Sequence, residues 1–226
     1  MAAASDIKFA LDSIISVYEK LNTGADINVT YGSSGKFFEQ IQQDAPFDMF
    51  FSADLDYPKK LLQSGRAISE PQLYGIGRIV VCSKSIQVSN EGIKALLNPA
   101  VYKIAIANPA HAPYGKRAVE CLQHFKIYEK VKDKLVLGDN ISQTAQFITT
   151  GAADIGIIAL SLALSPAMQR EGIMFYLIPE NAHAKLEQSF VILKNARDNK
   201  TAKSFAEFMK TKEAIAVLKY FGFSQN

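Results

Sequence analysis

The sequence predicts an α/β protein of two lobes, each a sheet flanked by helices. Three observations lead there. Apolar residues recur at helical and at strand spacing in alternation along the chain, the pattern of parallel sheets with helices on both faces. That pattern restarts after a turn-rich step at Tyr74-Gly75-Ile76-Gly77. A length of 226 residues suits either one large domain or two small lobes with real cores.

Taken in order, Ile7, Leu11, Ile14, Tyr18 and Leu21 share one helical face. Ile27, Val29 and Tyr31 alternate as a strand, and Phe37 and Ile41 begin a second helix. Asp48-Met49-Phe50-Phe51-Ser52 reads as a buried strand, and Leu55 to Ser64 as a helix broken near its start by Pro58. Beyond the turn-rich step, strands are expected at 78–82, 103–107, 135–137 and 154–158. Helices are expected between them at 115–125 and 141–150, and afterwards at 160–170. A last apolar strand covers Ser189-Phe190-Val191-Ile192-Leu193, and helices at 202–210 and 212–220 return to the first lobe. Strands near 78–84 and 187–194 would cross between the lobes. Lobe I is therefore expected at 1–78 plus 192–226 and lobe II at 79–191, with a ligand cleft between them.

Composition narrows the function. Hydrophobic residues make up 48% and charged residues 21%, as in ordinary soluble globular proteins. The formal net charge is +3, and no Lys/Arg run is present that would track a nucleic-acid backbone. Cys82 and Cys121 read as small buried apolar residues rather than a disulfide framework. His111, His124 and His183 lack metal-ligand spacing. No stretch reaches the roughly 18 apolar residues of a membrane helix. The opening Met1-Ala2-Ala3-Ala4-Ser5 has neither the basic region nor the long apolar run of a signal peptide, so a cytosolic, mature or trimmed chain is expected. Ser/His/Asp, P-loop and GxGxxG signatures are absent, and Glu39, Asp48 and Asp54 read as solvated faces or local caps.

The chemistry-bearing feature is a set of four similar helix starts. They fall at Ser5, at Ser33-Ser34-Gly35, at Pro113-Tyr114-Gly115, and at Asn140-Ile141-Ser142-Gln143. Each follows a strand by a short loop, which places it on the carboxyl edge of a sheet. Such starts carry unpaired N–H groups and partial positive charge, and several together hold an anion without a basic side chain. Taken singly, Ser, Asn and Gly are also the ordinary capping choices. Asn140 fits an N-cap, with Gln143 in the capping-box position. Lys8, Lys36, Lys116 and Arg117 occupy first turns where acids are usual, Asp6 being the exception.

Several motifs then resemble one family. Ala2-Ala3-Ala4-Ser5, Tyr31-Gly32-Ser33-Ser34-Gly35 and Pro46-Phe47-Asp48-Met49-Phe50-Phe51-Ser52-Ala53-Asp54 resemble the first lobe of periplasmic molybdate-binding proteins. Asn108-Pro109-Ala110-His111-Ala112-Pro113-Tyr114-Gly115 resembles their second-lobe loop, and Tyr220-Phe221-Gly222-Phe223 their ending. The resemblance covers essentially the whole chain. It implies a type II periplasmic-binding-protein fold, a monomer without cofactor or catalytic residues, and delivery of molybdate or tungstate to an ABC-transporter permease. It further implies a periplasmic location with the signal peptide removed. Ser5 and Ser34 match the family's hydroxyl and amide donors, and Tyr114 and Ile141 match positions that donate a backbone N–H. Ala4, Ser33, Gly115, Asn140 and Ala159 would stand behind them. Molybdenum would be bound as the oxyanion, without direct side-chain coordination.

This chain departs from the family pattern in two places. Where some members carry a strand tyrosine this chain has Ala159, and it has Tyr114 where those members have alanine. The Tyr114 phenol is expected either to reach the ion or to fill the space above Ala159, the alternative being a surface ring whose backbone N–H alone matters. Only the end of the family's first central strand precedes Ser5. Rival readings are another oxyanion such as sulfate or phosphate, ferric iron, a regulatory effector-binding module, or an enzyme on the same scaffold. The regulator would need a DNA-binding helix-turn-helix, and the enzyme a cofactor cysteine or paired acids.

Overall fold

A computed structural model describes residues 1–225. The chain opens with β1 (Ala2–Ala4), a 3-10 turn at Ser5–Ile7 and α1 (Lys8–Leu21). Next come β2 (Thr30–Gly32), α2 (Ser34–Gln42), β3 (Met49–Ser52), α3 (Asp56–Gln63) and β4 (Gln72–Gly77). The middle of the chain holds β5 (Ile79–Ser83), α4 (Val88–Glu91), β6 (Ile104–Ala107), α5 (Pro113–His124), α6 (Tyr128–Val131) and β7 (Leu135–Gly138). It continues through α7 (Ile141–Thr149), β8 (Ile155–Ala159), α8 (Leu160–Ala163), α9 (Pro166–Arg170) and β9 (Met174–Leu177). The end is β10 (Leu186–Ile192), α10 (Lys200–Phe208) and α11 (Lys212–Tyr220).

Two compact units result, one of Met1–Ile76 with the stretch from Glu187 onward, the other Gly77–Leu186. The return to the first unit therefore falls between 186 and 187, not between 191 and 192. The reason is pairing: Ser189, Phe190, Val191 and Ile192 lie antiparallel against Ser52, Phe51, Phe50 and Met49 of β3.

The first unit's sheet has the order β2-β1-β3-β10-β4. β1 is parallel to both β2 and β3, so its three residues form a short central strand paired on each side. Side chains alternate across this sheet. Ala3, Met49, Phe51, Phe190 and Ile192 pack with Ile7, Leu11 and Ile14 of the first helical segment and with Phe205 and Leu218 of the last two helices. Ala2, Phe50 and Val191 pack on the other face with Phe37, Ile41 and Leu61. Because both faces are covered, β3 reads as an unbroken apolar run. Each buried Phe stabilises by about 1.5–3 kcal/mol relative to exposure.

The second unit's sheet has the order β7-β6-β8-β5-β9. β6 is parallel to β7 and β8, and β5 is antiparallel to β8 and β9. Both sheets are thus mixed, a parallel trio extended by other strands, where simple βα alternation implied all-parallel pairing. Cys82 and Cys121 are unbridged and buried, and burial pushes both thiols up.

Local departures have local causes. Pro58 does not break α3, because it lies in the first turn, where helix N–H groups have no intrahelical acceptor. The expected helix at 160–170 is two short helices, divided where Ser165 caps the N–H of Met168 and Pro166 opens α9. The step at 74–77 is the end of a strand rather than a turn. A Cβ on Gly75 would come within 3.1 Å of Phe223, so close packing rather than turning explains that glycine. Of the expected 27–31 strand only Thr30 and Tyr31 pair, the pairing running on to Gly32, while Ile27 and Val29 pack against the core beside it.

Candidate functional site

In the first unit, the parallel trio brings three strand ends to one edge. Ala4 is paired with Gly32, so Ser5 and Ser33-Ser34 leave adjacent strands side by side. The 3-10 turn starts at Ser5 directly after Ala4, and no side chain caps it. Ser33 is the N-cap of α2 and accepts from the N–H of Lys36. Ser34, the first residue of that helix, accepts from the N–H of Ala53 at 3.0 Å through its Oγ. That bond uses a lone pair and leaves the hydroxyl proton available to donate. Ser5, Ser33 and Ser34 are all buried, with Ser34 at 1% exposure. At the third strand end, Asp54 accepts from Ser52 Oγ at 3.0 Å and from the N–H of Tyr57 at 3.1 Å, which is a local capping role.

The second unit repeats the geometry with different groups. Ala107 pairs with Gly138, so the loops leading to Tyr114 and to Ile141 leave adjacent parallel strands. Asn140 caps α7 by accepting from the N–H groups of Ser142 and Gln143, each at 3.0 Å. Gln143 reaches back to the N–H of Asp139 at 2.6 Å, one residue upstream of the return bond in a standard capping box. Ile141 is thereby held at the first position of its helix. Gly115 is required by contact: a Cβ there would collide with the carbonyl oxygen of Ala107, so only glycine lets α5 start this close to β6. Tyr114 is 2% exposed, which removes the reading of its ring as a surface group. Ala159 ends β8 fully buried.

Two features bear on charge. Lys8 bonds Asp12 at 2.9 Å and lies over the Tyr31 ring, and Arg117 bonds Glu120 at 2.5 Å. Those two first-turn cations each form a local ion pair. Asp6 is buried next to Ser5, and its Oδ2 accepts from Gln188 Nε2 at 2.8 Å. Gln188 Oε1 in turn accepts from the Tyr74 hydroxyl at 2.6 Å, and burial holds that phenol well above its ordinary pKa. This polar chain ties the first helix start to β10 and β4. Sequence reasoning missed it, although a glutamine ahead of the apolar run Phe190 to Leu193 was a usable signal.

Among the described residues no group of three or more His, Cys, Asp or Glu could hold a metal ion. The helix starts offer hydroxyls and backbone N–H groups instead, a donor set suited to binding an oxyanion.

Fold and strand-end donors together define a solute-binding scaffold. The family of bacterial extracellular solute-binding proteins matches residues 1–224. The molybdate-binding protein ModA of Rhodobacter capsulatus is 35% identical over 203 residues, 89% of this chain and 78% of that one. The ModA of Azotobacter vinelandii is 34% identical over 226 residues, covering 99% and 88%. The solved periplasmic molybdate-binding protein of Azotobacter vinelandii superposes with a TM-score of 0.92 at 29% identity, covering 100% of this chain and 98% of that one. The chain belongs to the molybdate-binding ModA family of bacterial extracellular solute-binding proteins.

Proposed function

We propose that this protein captures molybdate or tungstate and delivers it, as a monomer in the periplasm, to the membrane permease of an ABC importer. One observation carries the reading. In both units, adjacent parallel strands end in helix starts that present hydroxyl or N–H donors without a basic ligand. Ser5 and Ser34 supply hydroxyls and amides from one unit, and Tyr114 and Ile141 supply backbone amides from the other. Ala4, Ser33, Gly115, Asn140 and Ala159 fix the backbone around them. A dianion held by neutral donors needs no counter-charge if enough of them converge. The names of the relatives support the same ligand class, and no cofactor enters the scheme.

Thermal unfolding tests the reading. A ligand at 100 times its Kd stabilises the native state by about 2.7 kcal/mol. Molybdate and tungstate are expected to raise the midpoint accordingly, and an unchanged midpoint at millimolar molybdate would contradict the proposal.

A further inference from the structure

The second unit holds a cluster of basic groups that oxyanion capture leaves without a role. Arg78 precedes β5, Arg117 lies on α5, and His183 follows the short turn Glu180–Ala182. Arg78 Nη1 bonds Glu180 at 2.6 Å, and its Nη2 donates to the carbonyl of Ile178 at 2.9 Å. Arg117 Nη1 bonds Glu120 Oε1, and Glu120 Oε2 accepts from the N–H of Ala184 at 2.9 Å. His183 Nδ1 lies 2.8 Å from the carbonyl of Ala184. A carbonyl only accepts, so Nδ1 carries the proton and Nε2 is the variable atom.

Three nitrogens here are buried and make no hydrogen bond: Arg78 Nε, Arg117 Nε and His183 Nε2. The side chains of Arg78 and Arg117 are only 17% and 20% exposed, so these are not groups waving in solvent. Both arginines act electrostatically on the His183 ring, as does Glu120. Both terminal nitrogens of Arg78 serve Glu180 or the Ile178 carbonyl, and Arg117 Nη1 serves Glu120, so the Nε–H of each guanidinium is a donor left over. The two arginines and the two glutamates cancel in formal charge. Protonation of His183 then makes a third donor and a net charge of one. A monoanion balances that charge, whereas a dianion would leave buried negative charge unpaired.

We propose that Arg78, Arg117 and His183 form a second anion site, contained in this unit, that takes a small monoanion of the carboxylate or nitrate class together with one proton. Burial, followed by the two arginines, lowers the His183 pKa in the empty site. A bound anion raises it. The anion is therefore held most firmly below that pKa and released as pH rises through it. The site is independent of molybdate capture.

The test follows the ring protons of His111, His124 and His183 by NMR across pH in the full chain, at constant ionic strength set by a bulky sulfonate. Saturating acetate or nitrate is expected to raise the His183 pKa by about one unit, leave the other two histidines alone, and lose its effect in Arg117→Gln. A His183 pKa indifferent to both anions overturns the site, as does a shift of equal size in Arg117→Gln. Arg78→Gln is expected to match Arg117→Gln, and if it does not fold, Arg117→Gln decides alone. Molybdate affinity in Arg117→Gln is expected within about twofold of wild type, because separate sites behave additively. A parallel collapse of molybdate binding would assign Arg117 to the first site and overturn a second one.

Discussion

The two parallel trios, β2-β1-β3 and β7-β6-β8, solve one geometric problem with different chemistry. In each, the central strand comes first in the chain, its neighbours follow, and each strand feeds a helix at the same edge. Ser5 after β1 corresponds to Tyr114 after β6, Ser34 after β2 to Ile141 after β7, and Ala53 after β3 to Ala159 at the end of β8. The first unit fills two of these three positions with serines, the second fills them with residues whose side chains bring no hydroxyl except Tyr114. β1 passes into its helical turn without a loop, whereas β6 reaches α5 through residues 108–112 and needs Gly115 to make the close approach. The first unit's donors should thus be open to side-chain substitution, and the second unit's only to changes in the backbone.

Gly115→Ala should have the largest effect. The added methyl collides with the backbone of β6, so α5 must shift, at a cost of about 3 kcal/mol, the upper part of the range for overpacking. Chemical denaturation measures it, and wild-type stability would mean the contact is looser than described. Ser34→Ala and Ser5→Ala come next. Each should weaken molybdate binding by about 1.5–3 kcal/mol, the range for hydrogen bonds to a charged group. Ser34→Ala should also cost roughly 1 kcal/mol of stability, because the N–H of Ala53 loses its acceptor. Wild-type affinity in both mutants would move the site elsewhere.

A pair of substitutions at Ile141 sharpens the contrast. Proline is well tolerated at the first helical position, and Asn140 before it is already extended at φ −152° and ψ 174°. Ile141→Pro therefore deletes one N–H while keeping the helix start, and affinity should fall by about 1.5–3 kcal/mol. Ile141→Val keeps the N–H and should bind as wild type. Equal affinity in the two would show that this amide is not a ligand. Tyr114→Phe should change least, by under about 0.5 kcal/mol, if the second unit works through its backbone and the buried ring only fills space. A loss of tenfold or more would place the phenol on the ion instead.

Much of this was legible in the sequence. Helix starts at Ser34 and Ile141 were readable because capping chemistry is local: Ser33 and Asn140 announce themselves within four residues. α11 was readable because its apolar period is unbroken. What escaped depends on partners distant in sequence. β4 looked like a turn because the packing that makes Gly75 acceptable in a strand comes from Phe223. The unit boundary was misplaced because β10 belongs to the first unit through pairing with β3, and β9 was missed among the partly exposed Met174 to Leu177. The Asp6–Gln188–Tyr74 chain joins residues as much as 182 positions apart, and no local pattern reports such a contact.

Calorimetric titration of the purified protein with molybdate, tungstate, sulfate and phosphate tests the central claim most directly. A site of neutral donors sized for the larger ion leaves some donors out of reach of a smaller one. The account predicts tight 1:1 binding of molybdate and tungstate, with sulfate and phosphate far weaker. Sulfate binding as tightly as molybdate, or no heat with any of the four, would contradict it.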